Sequence, residues 1–211
     1  MLDMELDTTA RRLAACVVEG GCDSGEAAPA SSKRMQAALA IIDAQLKDAE
    51  RPLGDDEAAS LVPLLMRYRR AAQEGAGDYN LSLLAQAIAN IARSGTAAGE
   101  FLPLADILAI ISPQEMDVVQ CLHQYVNDCG MLLRDKTKRS ASAERRAIEA
   151  LVPSVFKSED EFRAVAAGLL RTGLIEPMIL YGNIMYAPSA LVDRLDRIVP
   201  LGDCPNSRRT A

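Results

Sequence analysis

The side chains best placed for chemistry in this chain are cationic rather than nucleophilic. Arg134, Lys136, Lys138, Arg139, Arg145 and Arg146 crowd into one short stretch. Only Asp135 and Glu144 oppose them, a local balance of +4. Such a cluster attracts phosphate or an acidic partner, because its guanidinium and ammonium groups are charged donors. Asn183, in the turn-like Tyr181-Gly182-Asn183, could add a contact at the tip of a hairpin.

Catalysis has little to work with. The single His123 lies between Val119 and Val126, at the border of an apolar helix face. That position suits a core-edge histidine better than a general base. Gly-x-Ser-x-Gly, a Gly-rich phosphate loop and His-Glu-x-x-His are all missing from the sequence. Asp55, Asp56 and Glu57 look like metal ligands, but they fall at a helix start, where acids complement the dipole. Arg67, Arg69 and Arg70 read as a solvated helix face. The expectation is a protein that is not an enzyme, with no catalytic or metal site and no cofactor.

The five cysteines, Cys16, Cys22, Cys121, Cys129 and Cys204, are odd in number and show no Cys-x-x-Cys spacing. Cys121 and Cys129 on one helix would stand about 12 Å apart, too far for a disulfide. A reduced, cytoplasmic protein is expected. The first residues are acidic and lack an apolar signal core, and the apolar run from Phe101 to Ile111 is too short to span a bilayer.

Hydrophobic residues make up 49% of the 211, aromatics only 4%, and Trp is absent. The core must therefore come from Leu, Ile, Val and Ala, which packed helices accommodate readily. Net charge is -6, with 10 basic and 15 acidic residues in 1–100 against 13 and 14 in 101–211. That balance argues against strong non-specific binding to nucleic acid.

Apolar spacing supplies the elements. Residues 1–34 read as a flexible segment with one short helix near Thr8 to Val18, followed by a Gly/Ser/Ala/Pro stretch. Residues 35–111 form a helical region. Its helices run from Lys33 to Glu50, from Asp55 or Asp56 to about Gly75, from Asn80 to Arg93, and from Pro103 to Ile111. Pro63 should kink the second of these or mark its first turn.

Ser112-Pro113-Gln114-Glu115 is a capping box with Pro at the first helical position, opening a helix to about Asp128. Residues 130–143 read as a charged loop and Glu144 to Phe156 as the next helix. Ser158-Glu159-Asp160-Glu161 is a second capping box. It opens a helix with Phe162, Val165, Ala166, Leu169 and Leu170 inward, stopping at Gly173. Leu174-Ile175 and Ile184-Met185-Tyr186 are strand-like, Ser189 to Val199 closes the region as a helix, and 201–211 is a loose tail.

Three helices followed by a hairpin is the order of parts of a winged helix-turn-helix, assigned here to 112–200. The fold class is mainly α: a helical N-terminal part and a C-terminal winged helix with a small β-hairpin wing.

From Leu61 to Val199 the layout resembles the bacterial phage abortive-infection proteins of alpha type. The likeness lies in Leu83-Leu-Ala-Gln-Ala-Ile-Ala-Asn90, Phe101 to Ile111, Ser112-Pro-Gln-Glu-Met-Asp-Val-Val119 and Leu169-Leu-Arg-Thr-Gly-Leu-Ile175. The aromatic that often opens the first piece is absent here. The resemblance implies a helical protein with a C-terminal winged helix, tied to defence or a mobile element, and it supplies no site residues.

Two functions compete. In a DNA reader the helix from Ser158 would present its first turn to base edges, yet that turn holds Glu159, Asp160 and Glu161. This favours a regulatory module that docks protein. The alternative is a DNA-binding regulator using the basic 134–146 loop for phosphates and Asn183 at the wing tip.

Overall fold

The computed structural model describes residues 36–42, 44, 55–95, 98–130, 135–202 and 204. The expectations for 1–34, for most of the 201–211 tail and for Arg134 lie outside the described residues. The chain divides into two compact units, Met1–Ile111 and Ser112–Ala211.

In the first unit, residues 36–42 are helical, followed by α1 (Asp55–Glu74), α2 (Asp78–Ser94) and α3 (Leu102–Ile110). On α1 the buried side is Leu61, Leu64, Leu65, Tyr68, Ala71 and Ala72, a stripe of three- and four-residue steps. Pro63 lies inside α1 on its exposed side, so it does not mark the first turn. Tyr68 donates from its hydroxyl to the Ala38 carbonyl at 2.6 Å, and burial pushes its phenol above the ordinary tyrosine range.

Helix α2 ends on Gly95, whose left-handed φ of 66° returns its N–H to the Ile91 carbonyl. The Asn80 amide donates to the carbonyls of Leu108 (2.8 Å) and Ile111 (2.7 Å), satisfying the otherwise unpaired end of α3. Within α3, Leu104, Ala105 and Leu108 are buried but Ile110 is exposed.

The second unit contains α4 (Pro113–Gly130), α5 (Lys136–Leu151), α6 (Glu159–Leu169), β1 (Ile175–Leu180), β2 (Asn183–Pro188) and α7 (Ala190–Ile198). Among the described residues it is mainly helical, with one two-stranded antiparallel hairpin near its C-terminal end. The Ser112–Glu115 box forms as read. Ser112 N–H donates to Glu115 Oε2 at 2.9 Å, and Glu115 N–H donates to Ser112 Oγ at 3.2 Å. At α6 the box is shifted by one residue: Ser158 Oγ accepts from Glu161 N–H, but the Glu161 carboxylate reaches Lys157 N–H at 2.7 Å.

The expected loop at 130–143 is corrected. Helix begins at Lys136, because the Asp135 carboxylate accepts from the N–H groups of Thr137 (2.9 Å) and Lys138 (3.2 Å). The buried face of α5 is Ser140, Ala143, Glu144, Ala147 and Leu151. Small and polar residues hide the apolar period there. The helix also stops at Leu151, short of Phe156, since Val152 precedes Pro153 and takes an extended backbone.

Fully buried Val118, Val119, Leu122, Leu151, Phe156, Phe162, Leu169, Leu174, Val192 and Leu195 fill the core of this unit. Phe156 and Phe162 meet edge to face at 5.7 Å between centroids. Leu170, expected inward, is exposed because the last turn of α6 tightens into a 3-10 turn, Leu170–Thr172. Gly173, at φ 70°, then releases the chain into β1. The hairpin register pairs Ile179 with Ile184 and Leu180 with Asn183. Tyr181 and Gly182 form the two-residue turn with φ of 50° and 81°. A disulfide joins Cys121 on α4 to Cys204 beyond α7, with Cα atoms 4.8 Å apart.

Candidate functional site

The described members of the basic cluster, Lys136, Lys138, Arg139, Arg145 and Arg146, stand on α5 rather than on a loop, and three of these five have countercharges. Lys136 pairs with Glu176 on β1 at 3.1 Å. Arg145 pairs with Glu149 one turn on, at 3.6 Å. Arg146 lies 3.8 Å from Asp128 and stacks over the Tyr125 ring, 4.4 Å from its centroid. Lys138 is exposed. Arg139 is half-buried, and its Nε is shut away from water without a hydrogen-bond partner among the described residues. The cluster does not act as one surface: it divides around the helix.

Two of its members, Lys136 and Arg139, one turn apart, line a cleft of about 400 Å³ with His123 and Asn127 of α4, Glu176 of β1, and Ser189 and Asp193 at the start of α7. His123 is almost buried, as its place beside the apolar face of α4 implied. Its Nε2 meets Asp193 Oδ1 at 3.1 Å and the Asn127 amide at 3.3 Å. Sequence reading missed Asp193 because its 70-residue separation from His123 leaves no local signal.

Asn183 and Arg145 fall on a different cleft, about 470 Å³, shared with Glu144, Glu159, Arg163 and Met185. Glu144 is 2% exposed. Burial raises its carboxyl above the usual range, against the pull of Arg163 at 3.7 Å and of the Tyr186 backbone N–H. Arg163 also binds Glu159 at 2.8 Å and donates to the Ile184 carbonyl at 3.2 Å, tying the start of α6 to β2.

At the far end of α6, Arg171 forks onto Glu115 at 2.5 and 3.1 Å. Burial opposes ionisation of Glu115, but Arg171 and the Ser112 cap outweigh it and hold the carboxyl below the usual range. Both arginines of α6 and its following turn are thus engaged internally. The Arg163–Glu144 and Arg171–Glu115 pairings were not legible, since each joins residues brought together by tertiary packing, whereas Glu159 and Arg163 are one helical turn apart.

Exposed apolar side chains stand at the hairpin tip and at the end of α6. Ile179, Tyr181 and Ile184 at the hairpin tip are 77%, 89% and 56% exposed, and Leu170 is exposed at the end of α6. Among the described residues, no group of three or more His, Cys, Asp or Glu is arranged to hold a metal ion. No described helix is long and apolar enough to cross a membrane.

The Cys121–Cys204 bond departs from the expectation of reduced thiols. Cys129 is free and buried. Comparison of the chain with protein-family models, curated proteins and solved structures gives no match.

Proposed function

We propose that residues 112–200 form a winged helix that docks a protein partner, with α6 in the recognition position and the β1–β2 hairpin as the wing. The observation that carries this reading is the exposed apolar tip: Ile179, Tyr181 and Ile184. A wing that follows a phosphate backbone needs cations there. Contiguous exposed apolar side chains instead suit a protein surface.

The start of α6 supports the same reading. Glu159, Asp160 and Glu161 occupy its first turn, and Arg163 and Arg171 are held by Glu159 and Glu115. The resemblance to abortive-infection proteins suggests a partner from phage defence or a mobile element, met in the cytoplasm. DNA binding through α5 is the second reading, kept because Lys138 is exposed and Arg139 has no countercharge.

A pull-down from the native host, wild type against Ile179→Asp/Ile184→Asp, tests the first reading. A partner captured by wild type and lost by the variant is expected. An electrophoretic shift at low salt tests the second. Saturable DNA binding that weakens steeply with salt, and that Arg139→Glu/Arg145→Glu/Arg146→Glu abolishes, would replace docking with DNA recognition.

A further inference from the structure

We infer that the cleft between α4, α5 and the start of α7 is a binding site for a small organic anion, a carboxylate or phosphate ester, held by the Arg139 guanidinium. This cleft touches the base of the hairpin but not its exposed tip, and it does not depend on the docking reading.

The argument begins with charge. Among the groups lining the cleft, Lys136 pairs with Glu176 at 3.1 Å, and Asp193 Oδ1 meets His123 Nε2 in a hydrogen-bond contact at 3.1 Å. Arg139 is the one cation of this lining that forms no ion pair with a described residue. Its own helix offers none: Asp135, one turn back, is committed to the α5 cap, and Ala143 stands one turn ahead. A half-buried guanidinium with one nitrogen sealed from water and unbonded carries an uncompensated desolvation cost. An anion bound in the cleft supplies the countercharge with which Arg139 is not paired, and the planar fork of arginine suits a carboxylate or phosphate.

The start of α7 is not the receptor. Its cap is already made, with Ser189 Oγ accepting from Leu191 N–H and donating to the Gly173 carbonyl. The side chains must therefore bind the anion. The volume, about 400 Å³, suits a small metabolite. Val126 and Pro188 give the cleft apolar wall. A ligand with a short apolar body and one anionic end fits this lining, and a bare ion would use only part of it.

The test is an amide chemical-shift titration of the full chain with inorganic phosphate and, separately, with succinate, at constant ionic strength against chloride. Saturable shifts confined to 123–127, 136–140 and 188–193 are expected with at least one of the two. The responding probe tells phosphate from carboxylate recognition. Arg139→Ala should weaken that binding at least tenfold. Arg139→Lys should retain part of it, and Arg145→Ala, outside the cleft, should leave it unchanged. Absence of saturable shifts with both probes overturns the site in the wild type alone. Shifts spread over every basic side chain, or unaltered by Arg139→Ala, overturn it as well.

Discussion

At the scale of single residues, two buried glutamates on one unit should respond to pH in opposite directions. Glu115, its carboxyl held low by Arg171 and the Ser112 cap, contributes stability above the ordinary glutamate range. That contribution is lost as pH falls through the lowered value. Glu115→Gln should therefore cost about 1–2 kcal/mol at neutral pH, with solvent at Arg171 screening part of the pair, and almost nothing in strong acid. Glu144, its carboxyl raised by burial, favours folding most when protonated. Its contribution is complete below the ordinary range and lost as pH rises through the raised value. Glu144→Gln, which fixes a neutral side chain, should melt above wild type at neutral pH and level with it in acid. Denaturant melts of both variants across pH 3 to 8 check the signs. A Glu144→Gln variant less stable than wild type at neutral pH would mean that Arg163 and Tyr186 outweigh burial.

At the scale of elements, neighbouring leucines on α6 separate core from surface. Leu169 is fully buried, so Leu169→Ala should cost about 2–5 kcal/mol. Leu170, 38% exposed, should change stability by less than about 0.5 kcal/mol on the same substitution, and paired thermal melts compare them. From periodicity alone both leucines read as inward. The 3-10 turn that rotates Leu170 outward is held by Thr172 Oγ1, which donates to the Leu169 carbonyl, and is closed by Gly173. Helix α5 was illegible at its start for a related reason. Its inward positions are Ser140, Ala143 and Glu144, which carry no apolar period, whereas Leu61, Leu64 and Tyr68 made α1 plain. The caps at Ser112 and Ser158 read well because a Ser with Glu three residues on is a local signature, whereas the Asp135 cap, with Lys138 in that place, was missed. The cleft was not legible, because His123, Arg139 and Asp193 meet only through packing of three helices.

At the scale of the whole molecule, the Cys121–Cys204 bond sets the terms. It closes 83 residues of the second unit, and Cys204→Ser should lower the stability of that unit by about 2–4 kcal/mol, read as a lower melting temperature under oxidising conditions. Both sulfur-bearing residues are fully buried, so alkylation in freshly lysed cells, before and after denaturation, reports whether the bond exists in the cell. The same ring has a mechanical meaning. Tension applied between the two ends of the chain enters α4, crosses from Cys121 to Cys204 and leaves without loading the residues between. Helices α5, α6 and α7 and the hairpin are thereby excused from bearing force. A single-molecule stretch of the oxidised chain should come up short by roughly 300 Å of contour, and reductant should restore that length in one step once the unit has opened.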